Sequence, residues 1–291
     1  MSINYKGIIL AGGSGSRLHP ITIGVSKQLL PIYDKPLIFY PISILMLSGI
    51  RDILIIVNKG QQEQFKKILP NGNKLGIKIT YAEQNKPRGL PDAFLIGEKF
   101  IGKENVALIL GDNFFYGQSL TKKLKKCREL KVGAKVFLHP VKNPNLFGIA
   151  SINKKNKILK LVEKPKKTNS NFAVTGLYFF DNQVVKLAKQ LKPSSRKELE
   201  IIDLLEKYKK NNKLTAEFIG RGGAWLDAGS VSDFYNTSFF VSAIENRQGL
   251  KIACLEEISF RNKWITKKNI KDSIQFYGNC EYSKYLQTII K

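Results

Sequence analysis

Short β-branched runs alternate with amphipathic stretches along the first half of the chain, and this predicts a repeating strand–helix order. Lys6 to Leu10 (KGIIL) reads as a buried strand. Residues 37–49 (LIFYPISILMLSG) are apolar almost all round, as a mostly buried helix is, with Pro41 near the first turn. Asp52 to Val57 reads as a second strand. Gln61 to Leu69 reads as a helix with Phe65, Ile68 and Leu69 on one face. Ile77 to Ala82 predicts a third strand, and Pro91 to Phe100 a helix with proline at its start. Asn105 to Leu110 predicts a fourth strand, Leu120 to Leu130 a helix, and Ala134 to Val141 a fifth strand. Continuous apolar strands separated by helices predict a mostly parallel sheet covered on both faces. Such sheets bind ligands at the carboxyl ends of their strands. The positions just after Leu10, Ala82 and Leu110 are therefore where chemistry is expected.

The pattern changes beyond residue 146. Phe147 to Asn153 and Ile158 to Glu163 predict a hairpin around Lys154-Lys155-Asn156-Lys157, and Val174 to Phe180 another strand. Helices follow near 182–191 and 201–211, then short strands at Thr215 to Gly220 and Ala224 to Asp227. From Val231 onward the periodicity is mostly helical. No Pro/Ser/Gly-rich linker, low-complexity tract or repeat divides the chain. The expected organisation is one α/β body over 1–237 with a helical C-terminal appendage over 238–291.

Composition narrows the class. A chain of 291 residues can bury a substantial core. Hydrophobic residues at 43% and charged residues at 24% fit a globular protein. No apolar run approaches the roughly 20 residues of a membrane span, so no membrane partner is expected. Met1-Ser2-Ile3-Asn4-Tyr5-Lys6 leads straight into the first strand, which predicts no signal peptide. Cys127, Cys254 and Cys280 are too widely spaced for a disulfide framework or a CxxC site, and a cytoplasmic setting is expected. The net charge of +25 points first to nucleic acid. Yet the excess divides evenly between the two halves, most cations are lysine, and clusters such as Lys122-Lys123-Leu124-Lys125-Lys126 lack interleaved aromatics. A solvated, Lys-rich surface is the expected reading, with no nucleic-acid partner.

The first strand runs into Leu10-Ala11-Gly12-Gly13-Ser14-Gly15-Ser16-Arg17-Leu18. Three glycines in four positions let the backbone approach a ligand and turn several N–H groups inward, which suits phosphate; an ordinary Gly-rich turn shares this composition. GxGxxG fails, because Leu18 stands where the last glycine belongs, and no Gly-Lys-Ser/Thr is present. What remains is GGxGxR, a loop that delivers a forked guanidinium suited to two phosphate oxygens. Lys27, in SKQLLP, is a single cation in an apolar run. Alone it reads as a snorkelling surface lysine; paired with Arg17 behind a strand end, it reads as a phosphate ligand. Asp112 directly follows the fourth strand, and Asp227 is isolated among apolar and small residues. Each alone suits a turn or cap. With only two histidines there is no cluster for a softer metal. Glu163-Lys164-Pro165 ends a strand: either a surface pair before a turn, or an acceptor for sugar hydroxyls beside a cation for phosphate.

AGGSGSRLHPIT followed by SKQLLPIYDKPLIFYP resembles the signature of the sugar-phosphate nucleotidyltransferases. GDNFFYG with SKQLLPIYDKP narrows the resemblance to the glucose-1-phosphate thymidylyltransferase group. It continues through VEKPKK, AVTGLYFFD, ELEIIDLL, AWLDAGS and CLEEISFRNKWI, from about Lys6 to Ile265.

The resemblance implies a Rossmann-like nucleotidyltransferase fold: an α/β, mostly parallel sheet flanked by helices, with an inserted sugar-binding β subregion. It implies transfer of a nucleotidyl group from dTTP to glucose 1-phosphate with Mg²⁺, giving dTDP-glucose for dTDP-rhamnose-type synthesis, by a homotetramer under feedback control. Arg17, Lys27 and Lys164 are implied as catalytic, and Asp112 and Asp227 as metal carboxylates. Leu10, Gly12, Gly13, Ser14, Gly15, Ser16, Gln84, Pro87 and Gly89 are implied around the nucleotide. Gly148, Glu163, Lys164, Val174, Thr175, Gly176, Tyr178 and Arg196 are implied around the sugar phosphate. Gly220-Arg221-Gly222 and Glu257 to Arg261 resemble parts of a regulatory site. Arg88 replaces the usual Asp, Pro91-Asp92 the usual Ala-Gln, and Phe147 the usual Tyr; these bear on thymine against uracil. The alternatives are a sibling using UTP or another sugar 1-phosphate and, more remotely, a non-catalytic nucleotide-sugar or nucleic-acid-binding protein on the same fold.

Overall fold

The computed structural model describes residues 4–291, so Met1 to Ile3 of the expected lead-in lie outside the described residues. The first half runs β1 (Tyr5–Leu10), β2 (Pro31–Ile32), β3 (Lys35–Pro36), α1 (Phe39–Leu47), β4 (Asp52–Asn58), α2 (Gln62–Ile68) and β5 (Lys78–Gln84). It continues through α3 (Asp92–Ile96), α4 (Glu98–Ile101), β6 (Asn105–Leu110), β7 (Asn113–Tyr116), α5 (Leu120–Cys127) and β8 (Ala134–Pro140). The second half adds β9 (Gly148–Ile152), β10 (Ile158–Glu163), β11 (Phe172–Phe180), α6 (Val184–Ala188), α7 (Ile201–Lys210), β12 (Leu214–Phe218) and β13 (Ala224–Asp227). Four helices close it: α8 (Val231–Gln248), α9 (Leu255–Arg261), α10 (Lys267–Tyr277) and α11 (Glu281–Ile289).

The main sheet has nine strands in the order β10-β9-β11-β6-β1-β4-β5, with β8 beside β11 and β12 beside β8. β1 pairs in parallel with β4 and β6, β4 with β5, and β12 with β8. β11 is antiparallel to β6, β8 and β9, and β10 to β9. The α/β class therefore holds, with one correction to strand order. β8 does not extend the parallel series directly, because β11 lies between it and β6. A continuous apolar run marks a strand as buried but does not name its neighbour.

Successive residues of a strand face opposite sides, and the core divides accordingly. Ile9, Ile53, Ile55, Leu177 and Phe179 pack with residues of α1, α2, α5 and α9. Ile8, Leu54, Ile56, Tyr178 and Phe180 pack with residues of α3, α6 and α7. α1 is apolar all round because it is buried all round: every residue from Leu37 to Met46 is buried, and Leu47, its last, is the first that is partly exposed.

Several expectations are corrected. The single helix expected over 91–100 is two short ones. Gly97 sits between them against the sheet, where a Cβ would come within 2.9 Å of the Ile8 side chain. The helix expected to reach Leu130 ends at Cys127. The short strands β2, β3 and β7 did not register in the periodicity, being only two to four residues long, whereas β13 coincides with the strand expected over Ala224 to Asp227; the pairs they form, β2–β3 and β7–β13, are antiparallel. The 237/238 division falls inside α8, whose Val241 packs with Ile32, Tyr40 and Phe114. Among the described residues no helix is long and apolar enough to cross a membrane.

Register builds the site. Leu10 stands opposite Ile56 on one side and Leu110 on the other, and Asn58 stands opposite Gln84. The carboxyl ends of β1, β4, β5 and β6 therefore lie side by side. The β7–β13 ribbon brings Asp227 opposite Asn113, next to Asp112.

Candidate active site

The Gly-rich loop leaves β1 and is held from beneath. Gln84 is buried and donates from Nε2 to the carbonyl of Gly12 at 2.7 Å and to Asn58 Oδ1 at 3.1 Å. Asn58 donates in turn to the carbonyl of Gly13 at 3.0 Å. A Cβ on Gly12 would lie 2.2 Å from Gln84 Nε2, so a side chain at position 12 would push the buried Gln84 amide off the loop. The backbone N–H groups of Gly12, Gly13 and Ser14 find no protein acceptor among the described residues. That is the condition of an anion nest. Gly15 is left-handed at φ 63° and starts a 3₁₀ turn over Ser16–Leu18. Leu18 is buried, and Arg17 extends to Gly229, where a Cβ would lie 3.0 Å from Arg17 Nη2. A side chain at 229 would crowd the guanidinium away from Asp227.

Lys27 sits in a second 3₁₀ turn and forms an ion pair with Asp112, both side chains being largely shielded from water. Asp112 also accepts from Asn113 Nδ2 at 3.1 Å, and its carbonyl accepts from Ala228 N at 3.0 Å. Asn113 is a residue that sequence reasoning passed over. Its Oδ1 accepts from Gly176 N at 3.0 Å and Trp225 Nε1 at 2.6 Å. It thereby ties β7, β11 and β13 together at the site, and each donor left unpaired there would cost about 1–3 kcal/mol. A polar residue between the apolar run of β6 and Phe114-Phe115 was the available signal.

Burial pushes the Asp227 carboxyl up to about 7, with Asp112 adding to the rise and Lys27 and Arg17 opposing it. The rise comes first from burial and only then from the neighbouring carboxylate. Among the described residues no group of three or more His, Cys, Asp or Glu gathers around a common point. The donor set fits a hard divalent cation, with carboxylate oxygens from Asp112 and Asp227 and further oxygens from phosphate and water.

The neighbouring cleft has a volume of about 500 Å³ and is bounded by Arg17, Asn113, Gly148, Glu163, Lys164, Val174, Gly176, Tyr178, Trp225 and Asp227. Lys164 takes φ 41°, in the left-handed region, and its N–H donates to the Phe147 carbonyl at 3.1 Å. The Phe147 ring meets Trp225 edge-on at 5.1 Å. Non-glycine strain of this kind gathers at functional sites. A second hollow of about 240 Å³ contains Leu10, Gly12, Gln84, Pro87, Gly89 and Arg196, and shares Leu90, Glu163, Lys164 and Ile201 with the first. Leu10, Gly12, Gln84, Pro87 and Gly89, expected around the nucleotide, therefore border a hollow that adjoins the cleft of Gly148, Val174 and Tyr178, expected around the sugar phosphate, while Gly13, Ser14, Gly15 and Ser16 border neither.

Arg196 Nη2 donates to Glu163 at 3.0 Å and to Glu200 at 2.7 Å. Burial alone would push the Glu200 carboxyl up. The hydrogen bonds from Arg196 and Ser194 outweigh it and hold the carboxyl below its usual range. Thr175 departs from its expected place, since its hydroxyl donates to the Phe137 carbonyl at 3.1 Å and it is buried within the sheet. Ser14 and Ser16 are exposed, with Ser14 Oγ donating to Ser16 Oγ at 3.3 Å. Glu257 and Arg261 line a separate cavity of about 510 Å³, which Gly220 to Gly222 do not border.

A nucleotidyl transferase family model matches residues 6–243. The chain is 51% identical to the glucose-1-phosphate thymidylyltransferase of Neisseria meningitidis over 98% of this chain and 99% of that one. It is 43% identical to the enzyme of the same name from Mycobacterium tuberculosis, again over 98% and 99%. A solved Bacillus anthracis structure, provisionally named a glucose-1-phosphate thymidylyltransferase and complexed with a sucrose, superposes with a TM-score of 0.75 at 39% identity, over 81% of this chain and 94% of that one. A UDP-glucose pyrophosphorylase complexed with UDP-glucose reaches a TM-score of 0.73 at 25% identity, over 84% and 100%. The chain belongs to the nucleotidyl transferase family, and within it to the glucose-1-phosphate thymidylyltransferases.

Proposed function

We propose that the protein transfers the thymidylyl group of dTTP to glucose 1-phosphate, releasing pyrophosphate and giving dTDP-glucose. The observation that carries this reading is a pair of adjoining hollows that share Glu163 and Lys164, one bordered by Gly12 of the Gly-rich loop and by Arg196, the other by Arg17, Asn113 and Asp227, with the Lys27–Asp112 pair joined to Asn113. A phosphate oxygen of the sugar phosphate attacks the α-phosphorus of the nucleotide as the pyrophosphate bond breaks. That oxygen is already anionic near neutral pH, so no side chain need remove a proton. The obstacle is repulsion between polyanions, and the residues answer it by position and charge. Arg17 and the N–H groups of the Gly-rich loop hold the β- and γ-phosphates, where charge develops. Lys27 balances Asp112 and faces the triphosphate. Lys164 and Arg196 hold the sugar phosphate in line, and Glu163, with the polar edges of the larger cleft around Gly148, Gly176 and Tyr178, accepts hydrogen bonds from the sugar hydroxyls. Enzymes of this family use a divalent metal; Mg²⁺ held by Asp112 and Asp227 would supply charge neutralisation at the phosphate oxygens.

Turnover measured for dTTP and UTP against a set of sugar 1-phosphates, with Mg²⁺ and with chelator, tests the reading. The expected result is highest kcat/KM with dTTP and glucose 1-phosphate, and loss of activity with chelator. A second reading, a UTP-using sibling, is favoured by the Arg88, Pro91 and Asp92 departures beside Gln84 and by the likeness to the UDP-glucose pyrophosphorylase. A preference for UTP in the same matrix would replace the first reading with the second. A homotetramer belongs to this proposal; the exposed stripe of Val231, Tyr235 and Phe239 on α8 supports contact between copies. Light scattering is expected to give four chains per particle, and a monomer mass at micromolar concentration would reject that.

A further inference from the structure

A seam joins the loop of residues 85–91, on the nucleotide side, to the loop of residues 194–200, which carries Arg196. Arg88 grips Asp92 with two bonds: Nη2 lies 2.7 Å from Oδ1 and Nε 3.2 Å from Oδ2. The Asp92 side chain is 3% exposed and that of Arg88 65%. An exposed ion pair at this spacing contributes little. Here, however, losing Arg88 strands a buried carboxylate, which is costly. The grip fixes the backbone between the two residues. The Arg88 carbonyl accepts from Leu199 N at 2.7 Å. Gly89, at φ 103°, lies so close to Leu199 that a Cβ would come within 2.1 Å of the Leu199 carbonyl oxygen. Leu199 is followed by Glu200, which accepts from Arg196 and from Ser194 Oγ. A short, continuous line of contacts therefore runs from Arg88–Asp92 through Gly89 and Leu199 to Arg196.

We infer that Arg88 and Asp92 are a positioning pair that latches the nucleotide loop onto the Arg196 loop, so that the two substrate halves set each other's geometry. Neither residue touches the reacting atoms. Their effect passes through the backbone of Leu199, and such coupling acts equally in both directions. The assignment of the two halves to nucleotide and sugar phosphate rests on the proposed function; the latch itself rests on the contacts.

The test compares R88A, D92A and R88A/D92A with the wild-type full chain, with Arg88→Lys as the conservative control. Hydrogen exchange of the 194–200 segment, in the absence of substrates, is expected to quicken in both single variants although neither substitution lies in it. In steady state, KM for glucose 1-phosphate should rise about tenfold with kcat held within about twofold, as expected for lost ground-state positioning. The double variant should be no worse than R88A, since the two side chains act as one unit. R88K, which keeps the charge but not the fork, should recover part of the loss. Unchanged exchange in 194–200, an unchanged KM for glucose 1-phosphate, or effects that multiply in the double variant would each overturn the latch. If the wild-type protein fails to turn over dTTP with glucose 1-phosphate, the functional reading falls, and the exchange result still decides the latch.

Discussion

Arg17→Ala is expected to lower kcat by about 10²- to 10⁴-fold, on the scale of losing an arginine that stabilises charge in phosphoryl transfer. In free energy this is roughly 3–5 kcal/mol. One cation about 4 Å from a phosphate charge, at an effective dielectric near 20, interacts by roughly 4 kcal/mol, so a single side chain can account for the loss. The geometry supports an effect concentrated on turnover. Arg17 projects from a turn pinned by buried Leu18 and lies across Gly229, beside Asp227. It is one of the charges that oppose the rise of the Asp227 carboxyl. Arg17→Lys should recover only part of the rate, because an ammonium group cannot span two phosphate oxygens as a guanidinium does. Rapid-quench turnover at saturating dTTP and glucose 1-phosphate reads the difference, and a near wild-type kcat in Arg17→Ala would remove Arg17 from the proposed catalytic set.

Much of the site was legible because its residues sit at strand ends, and strand ends are legible. Leu10, Gln84 and Leu110 close apolar runs, and parallel register alone then brings Gly12, Gln84 and Asp112 to one edge. Asp227 was legible as an isolated carboxylate at the end of an expected strand, but its pairing with Asp112 was implied only by the resemblance. β7, the strand that β13 pairs with, is too short to show a periodicity, and pairing between segments more than a hundred residues apart leaves no local mark. Asn113 was missed for a related reason. Its importance lies in accepting from Gly176 and Trp225, two residues far away in sequence. The break at Gly97 reads as an ordinary helical glycine until β1 and β4 press against it. Arg88 and Asp92 were each noticed as departures from a family pattern, and only the fold shows that they answer one another.

Asp112→Asn and Asp227→Asn are expected to weaken divalent-metal binding by at least about tenfold each, since each removes a full charge from a hard-cation site that has only two carboxylates. Their effects on the unliganded fold should differ in direction. Asp112 is the partner of Lys27, so Asp112→Asn leaves a shielded ammonium without its counter-charge and should lower Tm. Asp227 is held in low dielectric against a like charge, so Asp227→Asn relieves a cost and should leave Tm unchanged or raised. Stability traded for charge in this way is typical of a site built to receive a ligand. Mn²⁺ titration followed by electron paramagnetic resonance reads metal affinity without relying on turnover, and calorimetry reads Tm in the presence of chelator. If both variants titrate as the wild type does, Asp112 and Asp227 are not the metal carboxylates. If Asp227→Asn instead lowers Tm by several degrees, Asp227 holds the fold together, and its buried carboxyl is not a cost kept for a cation.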